Sequence, residues 1–263
     1  MDTPLLEFDH VEVSYDGRPV THDVSFRVMP GQVLCLVGES GSGKSTLVKA
    51  AMSQLGPRGQ VTRGDIWYEG NSLPDLAPQA MRRLCGTDFA LVFQDSLAAL
   101  MPIRRIGDQV HESLSAHREI TRGESDAEAA EMFRTLGLDD SQRVLSSYPF
   151  ELSGGMGQRV GIAMALLSHP RVLFADEPTS ALDVITQAQV VELLARVQRE
   201  LGTTIVLVTH NMGVVRRLAD QVVVLKEGCV MEQSPVAQVL ESPAATYTRE
   251  LLAAIPRWER ARA

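Results

Sequence analysis

Residues Gly38, Glu39, Ser40, Gly41, Ser42, Gly43, Lys44 and Ser45 set three glycines, a lysine and a hydroxyl in the spacing G-x-x-x-x-G-K-[ST]. They follow the apolar run Val33–Leu34–Cys35–Leu36–Val37 and precede a helix-forming stretch that opens at Thr46. Glycines let the backbone make turns barred to other residues and wrap closely around an anion. Successive N–H groups, together with the N-terminus of the following helix, then face the phosphates. In that arrangement Lys44 reaches the β- and γ-phosphates and the Ser45 hydroxyl ligates Mg²⁺.

A second group of residues suits the same chemistry. The apolar run Val172–Leu173–Phe174–Ala175 delivers Asp176 and Glu177 at the end of a strand, and ligands of open α/β sheets collect at that edge. An Asp there can hold Mg²⁺ opposite a phosphate loop, and the neighbouring Glu can orient or deprotonate an attacking water. The same pair could instead cap a helix. The run Leu152–Ser153–Gly154–Gly155–Met156 lies just before an expected helix N-terminus. It offers a hydroxyl and close backbone approach to an anion, but it has no lysine and is not a second phosphate loop.

These residues need a sheet to hold them. Val24, Phe26 and Val28 alternate with polar neighbours, as do Ile66 and Tyr68 between Gly64 and Gly70, which predicts half-buried strands. The unbroken apolar runs at 33–37, 172–175, 204–209 and 222–225 predict strands covered on both faces. The last is followed by Lys226–Glu227–Gly228 and Cys229 to Met231, which reads as a hairpin. Between about 97 and 167 the pattern turns helical. Ser125 and Glu128 have capping-box spacing and open a helix with Ala129, Met132, Phe133 and Leu136 on one face, ending at Gly137. A second helix is expected from Gln158 to Leu167. The chain therefore divides into an α/β core over 1–96 and 168–240, a helical insertion over 97–167 and a tail over 241–263.

The 263 residues suffice for one α/β core with a subdomain. The net charge of −8 argues against a protein held mainly to nucleic acid. Cys35, Cys85 and Cys229 lie far apart, which disfavours a zinc site, a cluster or a disulfide framework. No run approaches the roughly 20 apolar residues of a membrane span. The acidic N-terminus has no signal-peptide pattern, so a cytoplasmic protein is expected, reaching a membrane through a partner.

With these motifs in order, the chain resembles the ATP-binding subunits of ABC transporters, from Leu5 to about Pro256. The resemblance implies an α/β P-loop NTPase fold: a RecA-like core, an antiparallel β subdomain and an inserted helical subdomain. It makes Leu152–Ser153–Gly154–Gly155 similar to the family signature, which contacts the γ-phosphate of ATP held by a partner subunit. Gln94 resembles the glutamine that touches Mg²⁺ or the attacking water and links to the membrane subunit. Ser180–Ala181–Leu182–Asp183 resembles the loop that communicates across the dimer. His210 resembles the switch histidine at the γ-phosphate, and Tyr15 the aromatic that stacks on adenine.

The resemblance thus implies an ATP hydrolase with ATP and Mg²⁺. Its implied partners are a second ATPase subunit, two permeases and, through the complex, a solute-binding protein. A heterodimer is favoured over a homodimer, and the place is the cytoplasmic face of the membrane. The forms G-E-S-G-S-G-K-S-T, Tyr148 to Arg159 with Met156, and Tyr247 to Pro256 are similar to peptide and nickel importers. The Tyr148–Pro149–Phe150–Glu151 and Asn211–Met212–Gly213–Val214–Val215 segments lean to the nickel branch. So does the end at Ala263, without the cysteine-rich extension of many oligopeptide ATPases. Gly157, a poor helix former, either loosens the signature helix or permits close packing. Two alternatives compete: a soluble ABC ATPase of DNA repair or translation, and a degenerate regulatory subunit. The short insertion and acidic charge speak against the first, and the intact motifs against the second.

Overall fold

In the computed structural model of the protein, which describes residues 3–180 and 182–254, the strand feeding the phosphate loop is an interior strand of the larger sheet. The chain opens with β1 (Leu6–Tyr15), β2 (Arg18–Pro19), β3 (Val24–Val28) and β4 (Val33–Val37), then α1 (Lys44–Ala51). Next come β5 (Gly59–Tyr68), β6 (Asn71–Ser72), α2 (Pro78–Thr87) and β7 (Phe89–Val92). The helices α3 (Ile106–Ser115), α4 (Arg122–Thr135), α5 (Ser141–Ser146) and α6 (Gly154–Leu166) follow. A short 3-10 turn at Pro149–Glu151 precedes α6. The chain then runs through β8 (Val172–Asp176), α7 (Val184–Leu201), β9 (Thr204–Val208) and α8 (Met212–Leu218). It closes with β10 (Gln221–Lys226), β11 (Cys229–Pro235), α9 (Val236–Glu241) and α10 (Thr246–Ala253).

The larger sheet has the order β11-β10-β4-β9-β8-β7. Its neighbours pair in parallel except for the β10–β11 hairpin. The smaller sheet is antiparallel, with β1 between β5 and β3 and with β2 and β6 at its margins. The unbroken apolar runs have a direct cause. Along β4, Val33, Cys35 and Val37 point into a core shared with the helices α3 to α8, whereas Leu34 and Leu36 point into a second core under the antiparallel sheet and α1. A strand covered on both faces has no polar side to alternate with. This is the P-loop cassette architecture: an α/β core, an antiparallel β subdomain, and helices inserted between β7 and β8.

Three local expectations need correction. The helix expected from Ser125 begins earlier, because the capping box is Thr121 with Glu124. The Thr121 N–H donates to the Glu124 carboxylate (2.8 Å), and the Glu124 N–H donates to the Thr121 hydroxyl (3.3 Å). Ser125 is instead buried, donating to the Arg122 carbonyl (2.8 Å) with His111 Nδ1 at 3.1 Å, and Glu128 pairs with Arg118. The signature helix starts at Gly154 rather than Gln158. Its cap, Ser153, accepts from the Met156 N–H (3.4 Å) and supports glycines that would otherwise disfavour a first turn. The helix after the phosphate loop opens at Lys44, not Thr46, so Lys44 and Ser45 belong to its first turn.

Candidate functional site

The edge formed by the C-terminal ends of the parallel strands gathers most of the chemistry. Sheet order sets out Leu225 near the end of β10, Gly38 after β4, His210 after β9, Asp176–Glu177 at β8 and Gln94 after β7. Pairing of both Leu36 and Asp176 with Val208 brings the phosphate loop and the carboxylates to the same level. Residues far apart in sequence thus meet because parallel strands all end on one side.

Two glycines of the loop have specific causes. Gly38 has φ +148°, and a Cβ there would stand 2.1 Å from the Leu225 carbonyl oxygen. Gly43, the cap of α1, has φ +95°, and its Cβ would press on Thr21 at 2.9 Å. Lys44 is buried, and its ammonium donates to the carbonyls of Gly38 (2.8 Å) and Glu39 (2.6 Å) and to the Ser42 hydroxyl (3.1 Å). Burial lowers its pKa from the ordinary lysine value, while Glu177, Asp176 and Glu39 pull the other way. Ser40 and Gly41 are exposed, and Thr46 is half-buried one turn into α1.

Across the loop, the Ser45 hydroxyl donates to Asp176 Oδ1 (2.9 Å). Burial raises the Asp176 carboxyl above its ordinary range, opposed by the Ser45 hydrogen bond and reinforced by Glu177. Glu177 sits at φ +49°, a left-handed conformation that costs a non-glycine residue energy and turns its side chain away from that of Asp176. Its Oε1 lies 3.1 Å from His210 Nδ1. Neither carboxylate caps a helix, since Asp183 caps α7 through the N–H groups of Ile185 and Thr186.

Gln94 is exposed two residues beyond β7. The loop that carries it rests on the signature helix. A Cβ at Gly157 would meet the Leu97 side chain at 2.3 Å, and one at Gly161 would meet Ser96 Cβ at the same distance. The Gln158 amide donates to the Phe93 carbonyl (3.4 Å). Gly157 therefore serves close packing. Ser153 and Gly154 stand exposed, and no hydrogen bond joins Ser153 to the phosphate loop among the described residues. Gly155 abuts Thr186, with its Cβ position 2.8 Å from Thr186 Cγ2, which ties the signature to the cap of α7. Tyr15 ends β1 on the other sheet, partly exposed and packed against Gly59. Ala181 and the stretch from Ile255 lie outside the described residues.

Sequence reasoning passed over the floor of the loop. The Gly228 N–H donates to the Ser42 carbonyl (3.2 Å), and Leu225 and Thr21 limit two glycines, yet none of these carries a motif. Tyr247 was read only as part of the tail. Nothing in its spacing signals that it lies beside Glu39.

A sheet edge with this loop and these carboxylates defines a P-loop ATPase cassette. The family described as "ABC transporter" matches residues 21–180, and the chain belongs to it. It is an ABC transporter ATPase. A putative peptide import ATP-binding protein of Brucella abortus (strain 2308) is 41% identical over 264 residues, covering 97% of this chain and 78% of that protein. The oligopeptide transport ATP-binding protein OppD of Bacillus subtilis (strain 168) is 38% identical over 98% of this chain and 73% of its own length. The peptidoglycan transport ATP-binding protein YejF of Agrobacterium fabrum is 40% identical over 97% of this chain, which spans only 48% of that longer protein. A dimeric ATP-binding cassette solved in a post-hydrolysis state with ADP and Pi superposes with TM-score 0.77 at 27% identity, covering 88% of this chain and 98% of that one. These relatives are transport cassettes, and the repair or translation alternative falls.

Proposed function

We propose that this chain hydrolyses ATP in a site completed by a second cassette, and so drives uptake of a peptide-class solute. The observation that carries the reading is a division of labour. The phosphate loop, Asp176, Glu177 and His210 converge on one sheet edge, while Ser153, the remaining anion-binding group, stands exposed on the inserted helices. An exposed serine at a helix N-terminus with no hydrogen bond to the phosphate loop of its own chain among the described residues is suited to a phosphate held by a partner.

Each residue then has a task. The loop from Gly38 to Thr46 cradles the phosphates, and Lys44 exchanges loop carbonyls for phosphate oxygens. Ser45 and Asp176 present hard oxygen donors 2.9 Å apart, which suits Mg²⁺ with phosphate and water oxygens completing its sphere. Mg²⁺ bound there supplies charge neutralisation at the β- and γ-phosphates. Glu177 takes the proton of the attacking water, and His210, at 3.1 Å, fixes its direction. Gln94 senses the γ-phosphate and the metal, Tyr15 stacks on adenine, and Gly154 and Gly155 let the partner's phosphate approach the helix start.

The three-part division made from the sequence, with the helical insertion over 97–167, is retained as part of this reading. The insertion grips a helix of one of two membrane permeases. Phe93, Met101 and Ile103, large apolar side chains exposed beside Gln94, support this contact. The protein works peripherally at the cytoplasmic face of the membrane, paired with a second and different ATPase chain, and the complex receives cargo from a solute-binding protein. The names of its relatives favour peptides over nickel.

The test separates the two halves of the site. Lys44→Ala lowers ATP affinity of the isolated chain about tenfold or more. Ser153→Glu leaves that affinity intact and abolishes turnover in the assembled pair. If Ser153→Glu weakens ATP binding to the isolated chain as severely as Lys44→Ala, the site is contained within one chain and the proposal fails.

A further inference from the structure

The phosphate loop rests on the β10–β11 hairpin, and helix α10 is fastened to that hairpin. The β10–β11 hairpin forms its floor: the Leu225 carbonyl leaves room only for Gly38, and Gly228 donates to the Ser42 carbonyl. Helix α10 is fastened to this hairpin. The buried Glu232 carboxylate of β11 accepts the N–H groups of Ala244 (2.9 Å) and Ala245 (3.0 Å) at the start of α10. Thr248 is fully buried on the first turn of α10.

One residue earlier, Tyr247 reaches back to the loop. It is 8% exposed, and its ring stands 4.6 Å from the Lys226 ammonium at the end of β10. Its hydroxyl is buried and has no hydrogen-bond partner among the described residues, and Glu39, the second residue of the loop, is near enough to act on its titration. A buried hydroxyl without a partner carries a cost. Glu39 is also the residue whose carbonyl holds Lys44 at 2.6 Å. When Lys44 turns to a phosphate, that corner of the loop loses its internal tie.

We propose that Tyr247 is a positioning residue for the phosphate loop. It holds the Glu39 corner from outside while Lys44 engages the triphosphate, and thereby couples nucleotide affinity to the docking of α10. The inference rests on the assignment of Gly38–Thr46 as the triphosphate site. Coupling of this kind is reciprocal, so a nucleotide that tightens the contact must also stabilise α10.

Tyr247→Phe keeps the ring over Lys226 and removes only the hydroxyl. In the assembled pair with ATP and Mg²⁺ it should raise KM for ATP about fivefold with little change in kcat. Tyr247→Ala should raise it further. Hydrogen exchange of the α10 amides should slow on adding ATP to the unmodified chain, and respond less in Tyr247→Phe. A merely structural tyrosine would lower the melting temperature of the Phe variant without moving KM or the ATP response of α10. That result overturns the proposal, as does a wild-type KM in both variants. Lys44→Ala run alongside separates the two readings: if it too binds ATP normally, the triphosphate site itself is wrong; if it alone loses affinity, only the role of Tyr247 is lost.

Discussion

Asp176 and Glu177 are adjacent carboxylates in unlike surroundings, which suits the different duties proposed for them. Asp176 is drawn into the edge of the sheet, hydrogen-bonded to Ser45 and raised in pKa by burial. Glu177, at φ +49°, turns outward to His210. Replacing each by its amide separates the roles. Asp176→Asn removes a half-buried charge while keeping an acceptor for Ser45, and should raise the melting temperature of the nucleotide-free chain as it removes Mg²⁺-dependent turnover. Glu177→Gln should keep ATP affinity and lower turnover at least about 100-fold. Calorimetry and phosphate release measure both. An Asp176→Asn variant less stable than its parent would contradict the buried-charge argument.

Helix α6 shows local preference yielding to packing. Glycine at 154, 155, 157 and 161 is poor helix chemistry, and Gly157 by itself admitted either looseness or close approach. The contacts decide for close approach, because Leu97 and Ser96 occupy the space a side chain would need. Propensity alone makes Gly161→Ala stabilising by about 1 kcal/mol. Overpacking at 2.3 Å from Ser96 Cβ costs about 1–3 kcal/mol, so the net effect should be destabilising. Since Ser96 lies two residues past Gln94, the variant should also slow turnover more than it weakens ATP binding. Thermal melts and steady-state kinetics check both halves, and a more stable Gly161→Ala protein would refute the packing account.

At the scale of the whole molecule, the proposed site needs a second cassette, and exposed apolar side chains suit a membrane partner. Ile103 is 80% exposed, between Gln94 and α3. Ile103→Arg should leave ATP hydrolysis by the paired cassettes intact and weaken their association with the permeases. Co-purification from membranes, set against turnover of the soluble pair, measures this. Retained association would move the docking surface elsewhere.

The phosphate loop, the Asp176–Glu177 pair and the buried strands were legible because each is a local pattern: a spacing, a strand end, an apolar run. The α4 cap was misplaced by one turn, since Thr121–Glu124 and Ser125–Glu128 have the same spacing, and only burial of Ser125 beside His111 tells them apart. The sequence determined by itself which groups are suited to phosphate, since covalent geometry and residue type fix what a glycine, lysine or hydroxyl can do. Only the tertiary structure decided which groups meet. Parallel strands bring Ser45 to Asp176 and Glu177 to His210, the helix insertion keeps Ser153 apart from them, and the last helix brings Tyr247 to Glu39. Those distances depend on packing across the whole chain, and no short stretch of residues contains them.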